Sequence, residues 1–178
     1  MIGYRMSICT LVWLPAVIKG FIQGRITRQL LAAAVLPAVA FFAGQVLWGL
    51  APYYNNASIL MFIGRSAFLF AMLFGFWLVK SERSLLRHRR FWWGLGVTAL
   101  GMTSLFYAAY GGGASTPLGF CIMIFAAVCW GLHGPFVKKY LDGVSTPLGF
   151  GLICIYMFPC GLLILFIFGE PLAVVNLS

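Results

Sequence analysis

The sequence has 178 residues, of which 62% are hydrophobic and only 8% are charged. A soluble domain carries about 25% charged residues, and a water-exposed surface cannot be built from as few charges as this sequence has. Seventeen Phe, six Trp and seven Tyr add apolar area that lipid can cover. The net charge of +9 lies in short clusters between long apolar runs, a pattern typical of membrane proteins. Composition therefore predicts an integral membrane protein whose partner is the lipid bilayer, and it argues against nucleic-acid binding.

Six apolar runs are close to the roughly 20 residues that a helix needs to cross the hydrocarbon. They predict an all-α polytopic bundle of about six membrane-spanning helices and leave no linker long enough for a soluble domain. The predicted spans are Met6–Ile22, Leu30–Leu50, Ala57–Val79, Phe91–Tyr110, Pro117–Val137 and Pro147–Phe168.

Two further patterns bear on how these helices start and pack. The hexapeptide STPLGF occurs at 115–120 and again at 145–150, each time at the start of an apolar run. Ser or Thr caps helix N-termini and Pro fits the first turn, so both copies are predicted to be helix starts. Ala67, Ala71 and Gly75 recur at intervals of four, a spacing that favours close helix packing in lipid or a sliding surface.

The basic residues alternate from one loop to the next. Ten of the twelve lie in segments 19–28, 80–90 and 138–139, whereas PYYNNAS and GGGASTP carry no charge. Because Lys and Arg are disfavoured in translocated loops, the three basic segments are predicted to be cytoplasmic. This topology places Arg87 and Lys139 inside, Asn55 and Gly112 outside, and both termini outside the cell membrane.

Arg65 is the most unusual polar residue, because it lies eight residues into the third predicted span. An Arg at the bilayer centre costs about 2.5–3.5 kcal/mol on insertion scales. No Asp or Glu lies within any predicted span to pair with it. Its planar fork of donors suits a carboxylate or phosphate, so an anionic or zwitterionic solute is one interpretation, and snorkelling to the interface is the other. The missing intramembrane carboxylate also argues against proton-coupled cation antiport.

Four other residues are candidates for contact with a solute. His133 and Trp130 lie in the fifth predicted span, where Pro135 is expected to kink or end the helix and open its backbone to a cavity. Gln45 in the second span and Tyr156 in the sixth are polar groups at membrane depth. Helix packing is the alternative for His133, packing or an interfacial anchor for Trp130, and an interhelical hydrogen bond for Gln45.

The sequence shows no sign of enzyme chemistry. The five cysteines lie in apolar runs without metal-binding spacing, and no P-loop, GxGxxG, HExxH or GxSxG motif is present. Two His and three acidic residues, scattered along the chain, do not form a catalytic set. We therefore expect no enzyme activity, no cofactor and no metal site.

Several stretches together resemble the EamA-type module of the drug/metabolite transporter superfamily. In NNASILMFIGRSAFLFAMLFGFWLVKSERSLLRHRRFWWGLGVTALGM, an Ala/Ser-rich helix start leads into an apolar span and a turn in which KSER occupies the place of Gly-Glu-Arg. MIGYRMSICTLVWLP is similar to the second helix of the module, with Arg5 at the position of its Arg. FCIMIFAAVCWGLHGPFVKKYLDGVSTPLGF resembles the opening of the second repeat.

The resemblance implies part of a ten-helix fold made of two inverted repeats. Residues 1–110 would form most of the first repeat, as helices two to five, and residues 111–178 the start of the second, as helices six and seven. The first helix and the last three would then lie outside this chain. The resemblance further implies transport of small organic solutes, such as amino acids, metabolites or drugs, across the cytoplasmic membrane by alternating access.

A homodimer or a complementary half-transporter would supply the missing helices, and this chain alone is then expected not to transport. The alternative is a non-transporting membrane subunit or a remnant of such a transporter.

Overall fold

A computed structural model describes residues 2–111 and 116–168, and those residues form helices without strands. Gly112, which the sequence predicts to face outside the cell, therefore lies outside the described residues, and so does the acidic residue Glu170 near the C-terminal end of the sequence. Two 3₁₀ helices, Ala51–Tyr53 and Lys80–Arg87, lie between α-helices. The α-helices are α1 Ile2–Ile22, α2 Arg28–Leu50, α3 Ala57–Arg65, α4 Ala67–Leu78, α5 Arg89–Gly111, α6 Pro117–Tyr140 and α7 Thr146–Phe168.

Within the described residues, four helical segments are long and apolar enough to cross a membrane. These segments are Gly3–Ile22, Arg28–Tyr53, Pro117–Tyr140 and Thr146–Ile167. Their outer faces carry large apolar side chains, including Leu11 at 67% and Phe166 at 68% exposure. Such extensive apolar surface would be unstable in water and is suited to lipid. The protein is thus a helical membrane bundle, and four of the six predicted spans are confirmed as helices able to cross.

The third predicted span, Ala57–Val79, is divided into two helices at Ser66. The Ser66 amide donates to the Ile63 carbonyl oxygen at 2.9 Å, and the Ser66 hydroxyl donates to the same oxygen at 2.5 Å. A bond to the third preceding residue belongs to a 3₁₀ turn, which winds more tightly than an α-helix. The uninterrupted helix that hydropathy predicted was therefore wrong at this residue, because hydropathy does not register a side chain that bonds to its own backbone.

The fourth predicted span, Phe91–Tyr110, corresponds to the helix α5. It carries three hydroxyl residues, Thr98, Thr103 and Ser104, and each hydroxyl donates to the carbonyl four residues earlier at 2.8, 2.8 and 2.9 Å. These bonds satisfy polar groups that would otherwise be costly in lipid. The hydroxyl groups also lower the hydropathy of α5, which is not among the four strongly apolar segments.

Proline does not end α6. The helix continues through Pro135 to Tyr140, so of the two alternatives expected at Pro135, a kink or a helix end, the helix end is wrong. A proline ring removes one backbone donor, but membrane helices tolerate the loss where neighbouring groups pack against the freed backbone. Pro135 is buried, and α1, α2 and α7 also contain interior prolines, namely Pro15, Pro37 and Pro159.

The chain divides into two compact units by its internal contacts. Unit 1 comprises Met1–Val39 and Tyr140–Ser178, and unit 2 comprises Ala40–Lys139. The helix α2 contributes its first half to unit 1 and its second half to unit 2. The division into repeats at residues 110 and 111 concerns internal similarity rather than contacts, and it stays a prediction.

Unit 1 is built on antiparallel packing of α1 against α7. The Thr10 hydroxyl, buried in α1, donates to the Cys154 carbonyl oxygen at 3.2 Å. Glycines bring the two helices together at both ends: a Cβ at Gly3 would lie 2.8 Å from the Gly161 carbonyl oxygen, and one at Gly20 would lie 2.7 Å from a Leu148 methyl carbon. Small residues therefore set the separation of the two helices, as is common where lipid provides no hydrophobic drive for association.

In unit 2, α6 packs through one side on which residues recur at every fourth position. The buried members of this row are Gly119, Met123, Ala127, Gly131 and Pro135. A Cβ at Gly119 would lie 2.6 Å from Asn55, and one at Gly131 would lie 2.8 Å from the Ala71 nitrogen of α4. The close packing predicted for Ala71 is thus confirmed.

Candidate functional site

An aromatic cluster forms in unit 2 between α2 and α6. The cluster consists of Phe41 and Trp48 from α2 and Trp130 and His133 from α6. The ring centroids of Trp48 and Trp130 are 4.9 Å apart, and those of Phe41 and His133 are 4.7 Å apart. Both separations lie within the range in which aromatic pairs attract each other beyond simple area burial.

Helical periodicity explains why α2 contributes these rings. Phe41, Gly44, Gln45 and Trp48 lie three or four residues apart and therefore share one face of the helix. Gly44 makes the close approach possible, because a Cβ at that position would lie 2.5 Å from Cδ1 of Trp130. Any larger residue at position 44 would have to displace the indole ring.

The cluster carries polar groups at a depth where they need partners. Gln45 is only 7% exposed and has an interaction partner in the structure. The Nε1 atom of Trp130 is buried and has no hydrogen-bond partner among the described residues. An unsatisfied buried donor costs about 1–3 kcal/mol. An acceptor supplied from outside the protein would recover that free energy.

The structure brings three of the five predicted site residues into one region, since Gln45, Trp130 and His133 all lie on the α2 and α6 segments of unit 2. Arg65 lies at the C-terminal end of α3, where its side chain is exposed. It follows Gly64, which packs on the cluster: a Cβ at Gly64 would lie 2.8 Å from Cζ3 of Trp48. Arg65 is therefore adjacent in sequence to a residue that contacts the aromatic cluster.

The end of α3 is a favourable place for a cation. The last carbonyl groups of a helix carry partial negative charge, and a basic side chain in the last turn gains about 0.3–1 kcal/mol from it. Arg65 occupies that last turn because the 3₁₀ turn at Ser66 ends α3 there. The helix end thus offsets part of the insertion cost that the sequence implied for Arg65.

Tyr156 belongs to unit 1 rather than to unit 2. Its hydroxyl donates to the Leu31 carbonyl oxygen of α2 at 3.2 Å. An interhelical hydrogen bond was not predicted for Tyr156 as an alternative to solute contact, and the structure shows one at this position. It accounts for the polar group without a ligand.

Sequence reasoning missed Trp48 as a member of the site. Its position three residues after Gln45 on a shared helix face was visible in the sequence, but nothing local showed that this face meets Trp130.

Asn55 was assigned to a loop from the sequence, and the structure confirms that assignment. Asn55 is buried, and its amide nitrogen donates to the Ala51 carbonyl oxygen at 3.2 Å.

Comparisons with known proteins assign no role to these residues. No family model matches the chain, and neither a curated protein nor a solved structure matches it. The function of the site must therefore be argued from its own geometry.

Proposed function

We propose that this chain is, or forms part of, a transporter of small organic solutes in the cytoplasmic membrane, of the EamA type that its sequence resembles. The observation that carries the proposal is the buried Trp130 indole N–H without a protein acceptor, inside an aromatic cluster that also holds His133 and lies beside the buried Gln45. A few polar groups among aromatic side chains between membrane helices are typical of a ligand site. In this proposal the solute accepts a hydrogen bond from Trp130.

The interruption at Ser66 supports the same proposal. Transporter sites are typically formed where a membrane helix is discontinuous, because helix ends there face the bound solute or ion. In this chain a single 3₁₀ turn at Ser66 separates α3 from α4, and a cation, Arg65, precedes it directly. Arg65 would coordinate the carboxylate or phosphate of an anionic or zwitterionic solute, as its planar donors allow.

A six-span arrangement is compatible with the observed helices and forms part of the proposal. Ser66 keeps helical dihedral angles, φ −63° and ψ −19°, so α3 and α4 can cross the bilayer together. The helix α5 has 23 residues, which is sufficient for a crossing. With the three basic segments in the cytoplasm, these crossings would correspond to helices two to seven of an inverted-repeat transporter working by alternating access.

The experiment compares Trp130→Phe with Trp93→Phe in proteoliposomes and in expressing cells. Phe preserves an aromatic ring but removes the indole N–H, and Trp93 is a matched control because it is 66% exposed on α5. The probes are labelled zwitterionic amino acids, organic anions and organic cations. Cells and liposomes are tested with this chain alone and with a co-expressed partner chain that supplies further helices.

We expect at least one anionic or zwitterionic probe to bind the wild-type protein and the Trp93→Phe variant, and to bind Trp130→Phe about tenfold or more weakly. The thermal stability of the ligand-free Trp130→Phe variant should be unchanged or higher, because the change removes an unsatisfied donor. If no probe binds or moves under any condition, the chain is a non-transporting subunit or remnant. If Trp130→Phe binds and transports normally, the site is only a packing contact.

A further inference from the structure

Unit 1 contains a pocket lined by two basic side chains at the ends of α1 and α7. Its polar lining consists of Lys19, Gln23 and Arg25 from the end of α1 and the following turn, together with Ser145 from the start of α7, and its volume is about 240 Å³. This volume suits a small anionic group rather than a drug-sized ligand, which needs roughly 300–1,000 Å³. The pocket plays no part in the site proposed above.

The turn that follows α1 fixes where Arg25 lies. The Arg25 amide donates to the Gly20 carbonyl oxygen at 2.9 Å, and the Gly24 amide donates to the Phe21 carbonyl oxygen at 3.0 Å. This pair of bonds is a Schellman motif, which requires a left-handed residue, and Gly24 provides it with φ +65°. The motif turns the chain back beside the last turn of α1, so that Arg25 and Lys19 line the same pocket.

The two cations lack partners within the part of the chain that the structure describes. Neither the Lys19 ammonium nor the Arg25 guanidinium forms a hydrogen bond or an ion pair there, and both side chains are exposed. None of the residues that line the pocket is acidic. Like charges that line one pocket repel each other, and an anion bound between them removes that repulsion.

The start of α7 adds the Ser145 hydroxyl to the same pocket. The helix begins at Thr146, where the following proline has no amide hydrogen and the amides of the next two residues both donate to the Ser145 carbonyl oxygen at 3.0 Å. The positive end of the helix dipole favours an anion here, and the Ser145 hydroxyl can donate to it. A Cβ at Gly20 would lie 2.7 Å from Leu148, which shows how closely the end of α1 approaches this helix start.

The position of the pocket relative to the membrane restricts the ligand. It lies at the end of one membrane-spanning segment, Gly3–Ile22, and at the start of another, Thr146–Ile167. Lipid headgroups occupy this level, and basic pockets between membrane helices bind anionic headgroups. Arg donors match the oxygens of a phosphate bidentately, whereas Lys provides a point charge.

We propose that this pocket binds a phosphate group through Arg25 and Lys19, with the Ser145 hydroxyl as a further donor. The phosphate could belong to the headgroup of an anionic phospholipid or to a small soluble phosphate. The pocket would recognise the same phosphate group in both ligands. The two ligands differ in that only the phospholipid carries acyl chains that remain in the bilayer.

The test uses the full chain in nanodiscs of phosphatidylcholine. Wild-type protein is compared with the Lys19→Gln/Arg25→Gln variant and with the matched control Arg90→Gln, which removes an exposed charge from a different basic segment. One arm measures enrichment of phosphatidylglycerol over phosphatidylcholine around the protein by native mass spectrometry. The other arm measures thermal stabilisation by inorganic phosphate and by glycerol phosphate. Equal melting temperatures of all three proteins in pure phosphatidylcholine establish that the variants fold.

We expect the double variant to lose phosphatidylglycerol enrichment about thirtyfold, from roughly fivefold for each basic residue near the surface, and Arg90→Gln to lose no more than about fivefold. If soluble phosphate stabilises the wild-type protein and not the double variant, while lipid enrichment is unchanged, the ligand is a soluble phosphate. The proposal fails if no probe binds the wild-type protein, or if the double variant binds both probes as the wild-type protein does. Solute transport is not measured here, so this result stands apart from the test of the proposed function.

Discussion

Replacing Gly131 with alanine tests whether α6 lies as close to α4 as the structure shows. A Cβ at position 131 would lie 2.5 Å from the Phe70 Cβ, 2.8 Å from the Ala71 nitrogen and 2.9 Å from the Phe70 carbonyl carbon. Two of these three atoms belong to the backbone of α4 and cannot move without moving the helix. At Gly134, one turn further along α6, a Cβ would meet nothing within 4 Å.

The two glycines separate the packing effect from the backbone effect. Alanine is about 0.8–1.0 kcal/mol more favourable than glycine inside a helix, but at position 134 the following Pro135 opposes this gain, because its Cδ crowds the Cβ of the preceding residue. Forcing an extra carbon into a well-packed contact typically costs about 1–3 kcal/mol. We therefore expect Gly131→Ala to be less stable than helix propensity alone predicts by about 1–3 kcal/mol, and Gly134→Ala to show only the smaller local effect of Pro135.

The measurement is reversible unfolding in mixed micelles with increasing denaturing detergent, followed by far-ultraviolet circular dichroism. Both variants contain the same new methyl group on the same helix, and each is compared with the wild-type protein. A Gly131→Ala variant about 0.8–1.0 kcal/mol more stable than the wild-type protein, as helix propensity alone predicts, would refute the close approach of α6 and α4.

Three further predictions address unit 1, the topology and the charge. Gly151→Ala should lower the melting temperature relative to Gly149→Ala. A Cβ at position 151 would overlap a valine side chain of α1, whereas a Cβ at position 149 would have only an ordinary contact at 3.6 Å. Equal melting temperatures of the two variants would contradict the packing of α1 on α7. In a cysteine-free background, a membrane-impermeant reagent should label Tyr53→Cys, whose wild-type side chain is 83% exposed, in intact cells, but should label Arg87→Cys only after permeabilisation. The reverse pattern would overturn the proposed topology. Arg65→Leu should leave the bundle as stable as before or more so, because it removes the insertion cost of an Arg, while abolishing solute binding; normal binding would show that Arg65 only snorkels or packs.

The structure also changes which residue is suitable for labelling the outer loop. Asn55 was the position predicted from the sequence to face outward, but its side chain is only 8% exposed. A cysteine at that position would react slowly on either side of the membrane. Tyr53 lies two residues earlier and is well exposed, so it reports the same loop without the ambiguity of burial.

Helix positions could be predicted from the sequence because they depend on local hydropathy. The first residues of α2 and α7 differ from the predicted ones by at most two residues, and both helices end where predicted. The break at Ser66 was not predicted, since it depends on a hydroxyl bond to a backbone carbonyl within an otherwise apolar run. The pairing of α1 with α7 was not predicted either, because residues more than a hundred positions apart leave no local pattern.

The candidate site was predictable as a set of residues but not as an arrangement. Gln45, Trp130 and His133 were singled out because polar and amphipathic groups at membrane depth need a reason to be there. Their proximity follows from the packing of α2 on α6, which in turn depends on Gly44 leaving room for the Trp130 indole. Tyr156 had the same properties in the sequence, yet its hydroxyl is satisfied by the Leu31 carbonyl in the other unit.

The repeated hexapeptide STPLGF shows where local information ends. Both copies start helices, as predicted: α6 begins at Pro117, where the Gly119 amide donates to the Thr116 hydroxyl oxygen at 3.1 Å, and α7 begins at Thr146. Beyond the first helical turn, the identical residues of the two copies have different surroundings. A Cβ at the glycine of the first copy would lie 2.6 Å from Asn55, whereas one at the glycine of the second copy would meet only a leucine carbon at 3.6 Å. Six identical residues favour a helix start through bonds within the hexapeptide, the threonine cap in the first copy and the bonds to the serine carbonyl in the second. They cannot determine what that helix packs against, because the partner is encoded elsewhere in the chain.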